Sequence, residues 1–124
     1  MSLAAELAAA SSRHWAWGYH DCLMFAAHCV WAKTGIDYAA QFPFYDSEEG
    51  ANVILAEHGS IVGLISHVLG EPLPPSELQD GCVIVAHLPQ QTAGIYYAGG
   101  AVFARFPYGL TQLPASVVTH VWRV

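Results

Sequence analysis

Positive charge is scarce in this chain. Only 4 residues are lysine or arginine, against 10 aspartates and glutamates, so the formal net charge is −6 at pH 7 with histidine neutral. The four cations, Arg13, Lys33, Arg105 and Arg123, are scattered along the chain. Because they cannot form a stripe that follows a phosphate backbone, we expect no nucleic-acid partner.

Long apolar runs and targeting segments are also missing. The longest strongly apolar run covers residues 23–32 and is interrupted by His28, whereas a helix that crosses a bilayer needs about 20 apolar residues. The N-terminus has no basic segment ahead of an apolar core, which a secretory signal peptide requires. We therefore expect no membrane span and a protein that is cytoplasmic on synthesis.

Cysteine is too rare to hold the fold together. The chain has 3 cysteines, and Cys22 and Cys29 lie about 10 Å apart along one predicted helix, which is too far for a disulfide. We expect reduced thiols. A chain of 124 residues that is 54% hydrophobic and 11% charged can build a core without disulfides or metals, so residues 1–124 are predicted to form one domain.

Helical patterns occupy the first half of the chain and strand patterns the second. Helices are predicted at residues 2–12, 21–34, 47–58 and 61–69, from their capping residues, their apolar stripes and the glycines that follow them. An aromatic loop, 36–45, connects the second and third helices, and a proline-rich linker, 71–80, connects the fourth helix to the first strand. Short strands are predicted at 82–87, 94–98, 101–106, 110–113 and 117–124. This order predicts an α+β fold, with N-terminal helices packed on a C-terminal antiparallel sheet.

One cysteine is a candidate nucleophile. The second predicted helix is preceded by the run Trp15-Ala16-Trp17-Gly18-Tyr19-His20-Asp21-Cys22. Asp21 is a typical N-cap, and Cys22 then falls in the first turn, where the helix dipole and free N–H groups favour a thiolate. Cysteine is also among the most buried residue types. We therefore interpret Cys29 and Cys82, which have apolar neighbours, as core residues.

Residues 15–27, continued by Thr34-Gly35-Ile36-Asp37, resemble the NlpC-type cell-wall cysteine peptidases, which have a papain-like fold. The stretch is most similar to small members associated with phage and prophage tails. In that family the nucleophile lies in an Asp-Cys pair at a helix start, and the base is the His of a His-x-Gly-Ile-Tyr strand. The resemblance implies a papain-like fold, Cys22 as nucleophile and cleavage of peptidoglycan stem peptides. It also implies phage-tail proteins as partners and a virion or phage-tail location.

The downstream half is similar to the family in outline and departs from it at key positions. Thr92-Ala93-Gly94-Ile95-Tyr96 is similar to the family's second strand, but Thr92 stands where the catalytic His opens it. Threonine cannot act as a general base near neutral pH. Cys82 replaces the usual Asp of the first strand, and Ala104 lies near the position of the residue that orients the His. Only the Asp-Cys pair that contains Cys22 is carried over.

A catalytic thiol needs a base, and three histidines are candidates. His87 ends the first predicted strand, across a short turn from Thr92, and is the preferred base. His120, on the last strand, and His20, two residues before Cys22, are the alternatives. Backbone N–H groups at the helix start would hold the oxyanion.

No metal or other cofactor is expected. His14, His20, Cys22 and His28 are close in sequence, but their spacing matches no zinc pattern. Three functions remain open at this stage. The first is an NlpC-like thiol hydrolase that uses Cys22 and His87, the second is a catalytically inactive papain-fold structural or adaptor protein of a phage tail, and the third is a small-molecule acyl or thioester enzyme.

Overall fold

The computed structural model describes residues 2–97 and 100–124. Four α-helices are present: α1 (Leu3–Ala10), α2 (Cys22–Thr34), α3 (Glu48–His58) and α4 (Ile61–Leu69). Five strands follow: β1 (Val83–His87), β2 (Gln91–Tyr97), β3 (Ala101–Phe106), β4 (Gly109–Leu113) and β5 (Val118–Trp122). The strands form one antiparallel sheet in the order β4-β3-β2-β1-β5. The predicted α+β class, helices first and antiparallel sheet last, is confirmed.

The four helices begin where the sequence predicts, because each has a side-chain cap. The side-chain oxygens of Ser2, Asp21, Ser47 and Ser60 each accept a hydrogen bond from the backbone N–H three residues further on. These bonds satisfy N–H groups that have no partner within the helix. Gly35 ends α2 in the left-handed region, with φ of 80°, as its position after the last apolar turn predicts.

Several strand boundaries differ from the prediction, and the largest difference is at the start of β2. β2 begins at Gln91 rather than at Gly94, because the hairpin turn is short: His87 already pairs with Gln91, and the Leu88 N–H donates to the Gln90 carbonyl. β5 begins after a 3₁₀ turn (Ala115–Val117). The predicted end of the second strand at Ala98 and the Gly99 after it lie outside the described residues.

The sheet buries apolar side chains on both of its faces. One face carries Val83, Val85, Ala93 and Ile95, which pack against buried residues of the helices. The other face is covered by partly buried side chains of the 71–80 linker and of Val117. α2 packs on β2, in the middle of the sheet, so the sequence around Cys22 is part of the core of the domain.

Two further predictions concern burial and membranes. Cys29 is 0% exposed and Cys82 is 2% exposed, which confirms that both are core residues. Within residues 2–97 and 100–124 no single helix is long and apolar enough to span a membrane. Judged by length and composition alone, α3 and α4 taken together would be long and apolar enough to span a membrane, and the two helices are bent by 63° relative to each other.

Candidate functional site

The approach to α2 is a tight turn that ends at a buried carboxylate. The Tyr19 and His20 N–H groups both donate to the Ala16 carbonyl, at 3.0 and 2.7 Å. Gly18, with φ of 80°, lies inside this turn. The turn brings Gly18 back towards the start of the helix, where its N–H donates to Asp21 Oδ2 over 2.9 Å.

Asp21 connects three parts of the chain. Its Oδ1 accepts the Met24 N–H at 2.9 Å, which is the predicted capping bond, while Oδ2 accepts the Gly18 N–H and the Tyr45 hydroxyl. The residue is 2% exposed. Burial, together with the Asp21 charge, raises the pKa of the Tyr45 phenol, so Tyr45 remains a protonated donor. Sequence reasoning missed Tyr45, because its partner is 24 residues away and no local pattern marks it.

Cys22 lies beside the start of β2. The pairing of β2 with β3 starts at Gly94↔Ala104, so Ala93 lies outside that ladder. The backbone of Ala93, the side chain of Thr92 and the backbone of Leu23 lie close enough to the Cys22 thiol to lower its pKa by hydrogen bonding. The structure therefore brings together Cys22 and Thr92, the residue at the position where the resemblance predicts a histidine.

The surroundings of Cys22 favour a neutral thiol. Burial is the largest influence and raises the pKa of the Cys22 thiol above its ordinary value, and the Asp21 carboxylate raises it further. The hydrogen bonds from Ala93, Thr92 and Leu23 lower this pKa, but they do not outweigh burial. The expected lowering of the pKa by the helix start is thus more than offset.

We predict that Cys22 alkylates slowly. Because the thiolate is the reactive form, each unit by which the pKa rises slows alkylation at neutral pH about tenfold. Iodoacetamide at pH 7 should therefore modify native Cys22 more slowly than it modifies free glutathione. Cys22→Ala gives the background from Cys29 and Cys82. A rate equal to or above that of glutathione would contradict the raised pKa and would support the prediction that Cys22 is an activated thiolate.

His87 lies near the site without contacting the thiol. It is exposed at the end of β1 and pairs with Gln91 across the hairpin. Because strand side chains alternate, His87 shares a sheet face with Val85, which is the face that α2 covers. The hydrogen-bond partners of the thiol, Ala93, Thr92 and Leu23, include no histidine.

The other two candidate bases have partners elsewhere. β5 returns beside β1 as expected, and His120 is level with Val85. Its Nδ1 lies 2.8 Å from the Thr119 hydroxyl, and its ring stacks on Trp122 with 6.2 Å between ring centroids. His20 faces the His28 ring, with 6.0 Å between centroids, and burial lowers the pKa of His20.

The His20 side chain belongs to a small polar cluster beside α1. Glu6, 4% exposed, accepts a hydrogen bond from Arg13, and its carboxylate lies 3.9 Å from His28 Nδ1. These side chains, together with His20 and Trp31, line a cavity of about 180 Å³. In the described part of the chain no group of three or more His, Cys, Asp or Glu could hold a metal ion.

Arg105, the ionisable residue nearest to the predicted orienting position, has a structural role. It is 4% exposed, and its Nη1 donates to the Ala10 carbonyl over 2.9 Å. Its Nη2 donates to the Arg13 carbonyl. The guanidinium therefore binds the carbonyl of the last residue of α1 and the carbonyl of Arg13 in the turn after it, and fixes the end of α1 to β3.

Comparison with known proteins returned one family. The model of a family described as a domain of unknown function matches residues 1–124. No curated protein matches the chain.

Proposed function

We propose that this chain, which belongs to the DUF6950 family of domains of unknown function, is a catalytically inactive papain-fold domain of the NlpC type. Its role would be that of a structural or adaptor protein in a phage-tail assembly. The observation that carries this proposal is the contact between Cys22 and Thr92, because Thr92 stands where the resemblance predicts the catalytic base.

The chemistry around the thiol supports an inactive site. A cysteine hydrolase needs a thiolate, made either by a neighbouring base or by an environment that lowers the thiol pKa. Here Cys22 is only partly exposed, and the desolvation of its thiol raises the thiol pKa. Its side-chain partner is a hydroxyl, which can donate a hydrogen bond but cannot take a proton near neutral pH. The phage-tail context follows from the resemblance of residues 15–27.

A thiol hydrolase acting on peptidoglycan stem peptides is the second candidate. It is favoured by the position of the Cys22 thiol beside the Leu23 backbone in the first turn of α2, since N–H groups at a helix start can also hold an oxyanion. In this alternative Cys22 attacks the peptide carbonyl, and His87, on the same sheet face, accepts the thiol proton.

Digestion of purified peptidoglycan separates the two functions. Wild type and Cys22→Ala should both release no stem-peptide fragments. Thr92→His restores a base beside the thiol. Because general-base catalysis contributes about 10²–10⁴-fold, this variant should release fragments, and adding Cys22→Ala should abolish that release. A stoichiometric complex with a phage-tail protein, retained in Cys22→Ala, is expected for the adaptor.

Other outcomes of the same digestion would contradict the proposal. Fragments released by wild type and lost in Cys22→Ala would establish the hydrolase, and their loss in His87→Gln as well would identify His87 as the base. If a folded Thr92→His variant stays inactive, position 92 is not the missing base, and the assignment of Thr92 fails.

A further inference from the structure

A second cavity lies between α2 and the helices that follow it. It has a volume of about 350 Å³, opens to solvent, and is lined by residues of α2, the 36–45 loop, α3 and α4, with Val83 of β1 at its inner end. Phe25 and Cys29 point from α2 into the core, whereas Leu23, Ala27 and Trp31 line this cavity. Cys22 is not among the residues that line it.

Small side chains on three facing elements explain why the space is open. α2 presents Ala26 and Ala27, the 3₁₀ helix Tyr38–Gln41 presents Ala39 and Ala40, and α3 presents Ala51. Protein interiors are close-packed, with few voids larger than a water molecule. Larger side chains at these positions would fill the space, so the alanines maintain a cavity of the size typical of small-molecule sites, about 300–1,000 Å³.

The lining selects the chemistry of a ligand. The walls are mostly aliphatic and aromatic, with Ile54, Leu64 and Ile65 already buried at the inner end. Among the described lining residues there is no lysine or arginine, and Asp37 is the only carboxylate. Trp31, which also lines the cavity, is 45% exposed. The site therefore favours ligands with an apolar skeleton and disfavours ligands that carry an anionic group.

The volume limits the size of the ligand. A buried apolar cavity of about 150 Å³ holds one benzene molecule, and this cavity is more than twice as large. We propose that it binds one apolar small molecule of about 10–15 non-hydrogen atoms, uncharged or carrying an amine beside Asp37. The cavity shares Gly18 and Tyr45 with the junction at Asp21, but Cys22 does not line it, and the inference does not depend on the proposed function.

Displacement of a small neutral fluorophore, 1-aminonaphthalene, tests the site in the full chain. We expect one saturable site, from which decanol and decylamine displace the dye. Decanoate, repelled by Asp37, should need about tenfold higher concentrations, which is a difference of one unit in log Kd. Ala40→Trp, at an exposed lining position, should abolish dye binding. Ala8→Trp, on the exposed side of α1, is the matched control and should bind normally.

A second variant and a second measurement complete the test. Ala51→Leu fills the inner part of the cavity from α3 and should weaken dye binding while the far-ultraviolet circular dichroism stays unchanged. Dye binding that is unsaturable, or equal in wild type and folded Ala40→Trp, would overturn the proposal. So would a wild-type dimer in sedimentation that Ala40→Trp dissociates, because a second copy would then occupy the cavity.

Discussion

Replacing Asp21 with alanine is expected to lower the free energy of unfolding by about 3 kcal/mol. Loss of an N-cap side chain costs about 1 kcal/mol. The Gly18 N–H and the Tyr45 hydroxyl also lose their acceptor, and each buried donor left without a partner costs about 1–3 kcal/mol. Because Asp21 is 2% exposed, water cannot readily replace the carboxylate. Urea unfolding of wild type and variant measures the difference.

Two control variants separate these contributions. Asp46→Ala removes an exposed carboxylate one residue after Tyr45 and should change the free energy of unfolding by less than about 0.5 kcal/mol. Tyr45→Phe removes only the hydroxyl and should cost about 1 kcal/mol. If Asp21→Ala costs no more than Tyr45→Phe, the capping bond to Met24 contributes nothing, and Asp21 is not the cap of α2.

Sequence patterns predict the helices well because the signals that define them are local. Ser2, Ser47 and Ser60 each cap a helix through a bond to the third residue along the chain, and such spacing can be read directly. The start of β2 at Gln91 is different. The strand begins there because His87 pairs with Gln91 across a short turn, and pairing partners are not visible in local composition.

The same difference between local and long-range signals applies to the candidate site. The placement of Cys22 at the start of α2 and the proximity of Thr92 both follow from motifs. The raised pKa of the thiol does not, because it results mainly from desolvation, which depends on long-range packing around the start of α2. The cavity behind α2 was likewise unpredictable. Its alanines are spread over three elements, and nothing in their spacing indicates that they face one another.

The link between Asp21 and Tyr45 gives the Trp-Gly-x-x-Asp-Cys stretch a role that is independent of catalysis. The aromatic loop, the turn at Gly18 and the first turn of α2 meet at one buried carboxylate. An inactive domain would need this junction as much as an active one, because it fixes the start of the central helix. An Asp-Cys pair without a histidine at position 92 is therefore physically consistent with a structural role.

Gly18→Ala is expected to destabilise the domain by more than about 3 kcal/mol. A Cβ at this position would overlap the Tyr45 carbonyl oxygen, so the 36–45 loop would have to move away from α2. The left-handed backbone, with φ of 80°, adds about 1–2 kcal/mol of strain for a residue other than glycine. Moving the loop would also break the bond between Tyr45 and Asp21, so the expected loss includes part of the cost of Asp21→Ala.

Gly35→Ala is the matched control, since Gly35 has the same φ of 80° and no atom within 4 Å of the added Cβ. Its cost should be the backbone strain alone, about 1 kcal/mol. The difference between the two variants in urea unfolding then measures the close approach of Gly18 to Tyr45. Equal losses of unfolding free energy would mean that the 36–45 loop can move without a measurable cost and that the buried junction does not hold α2 in place. A larger loss for Gly18→Ala, together with faster alkylation of Cys22, would show that the same contact keeps the thiol buried.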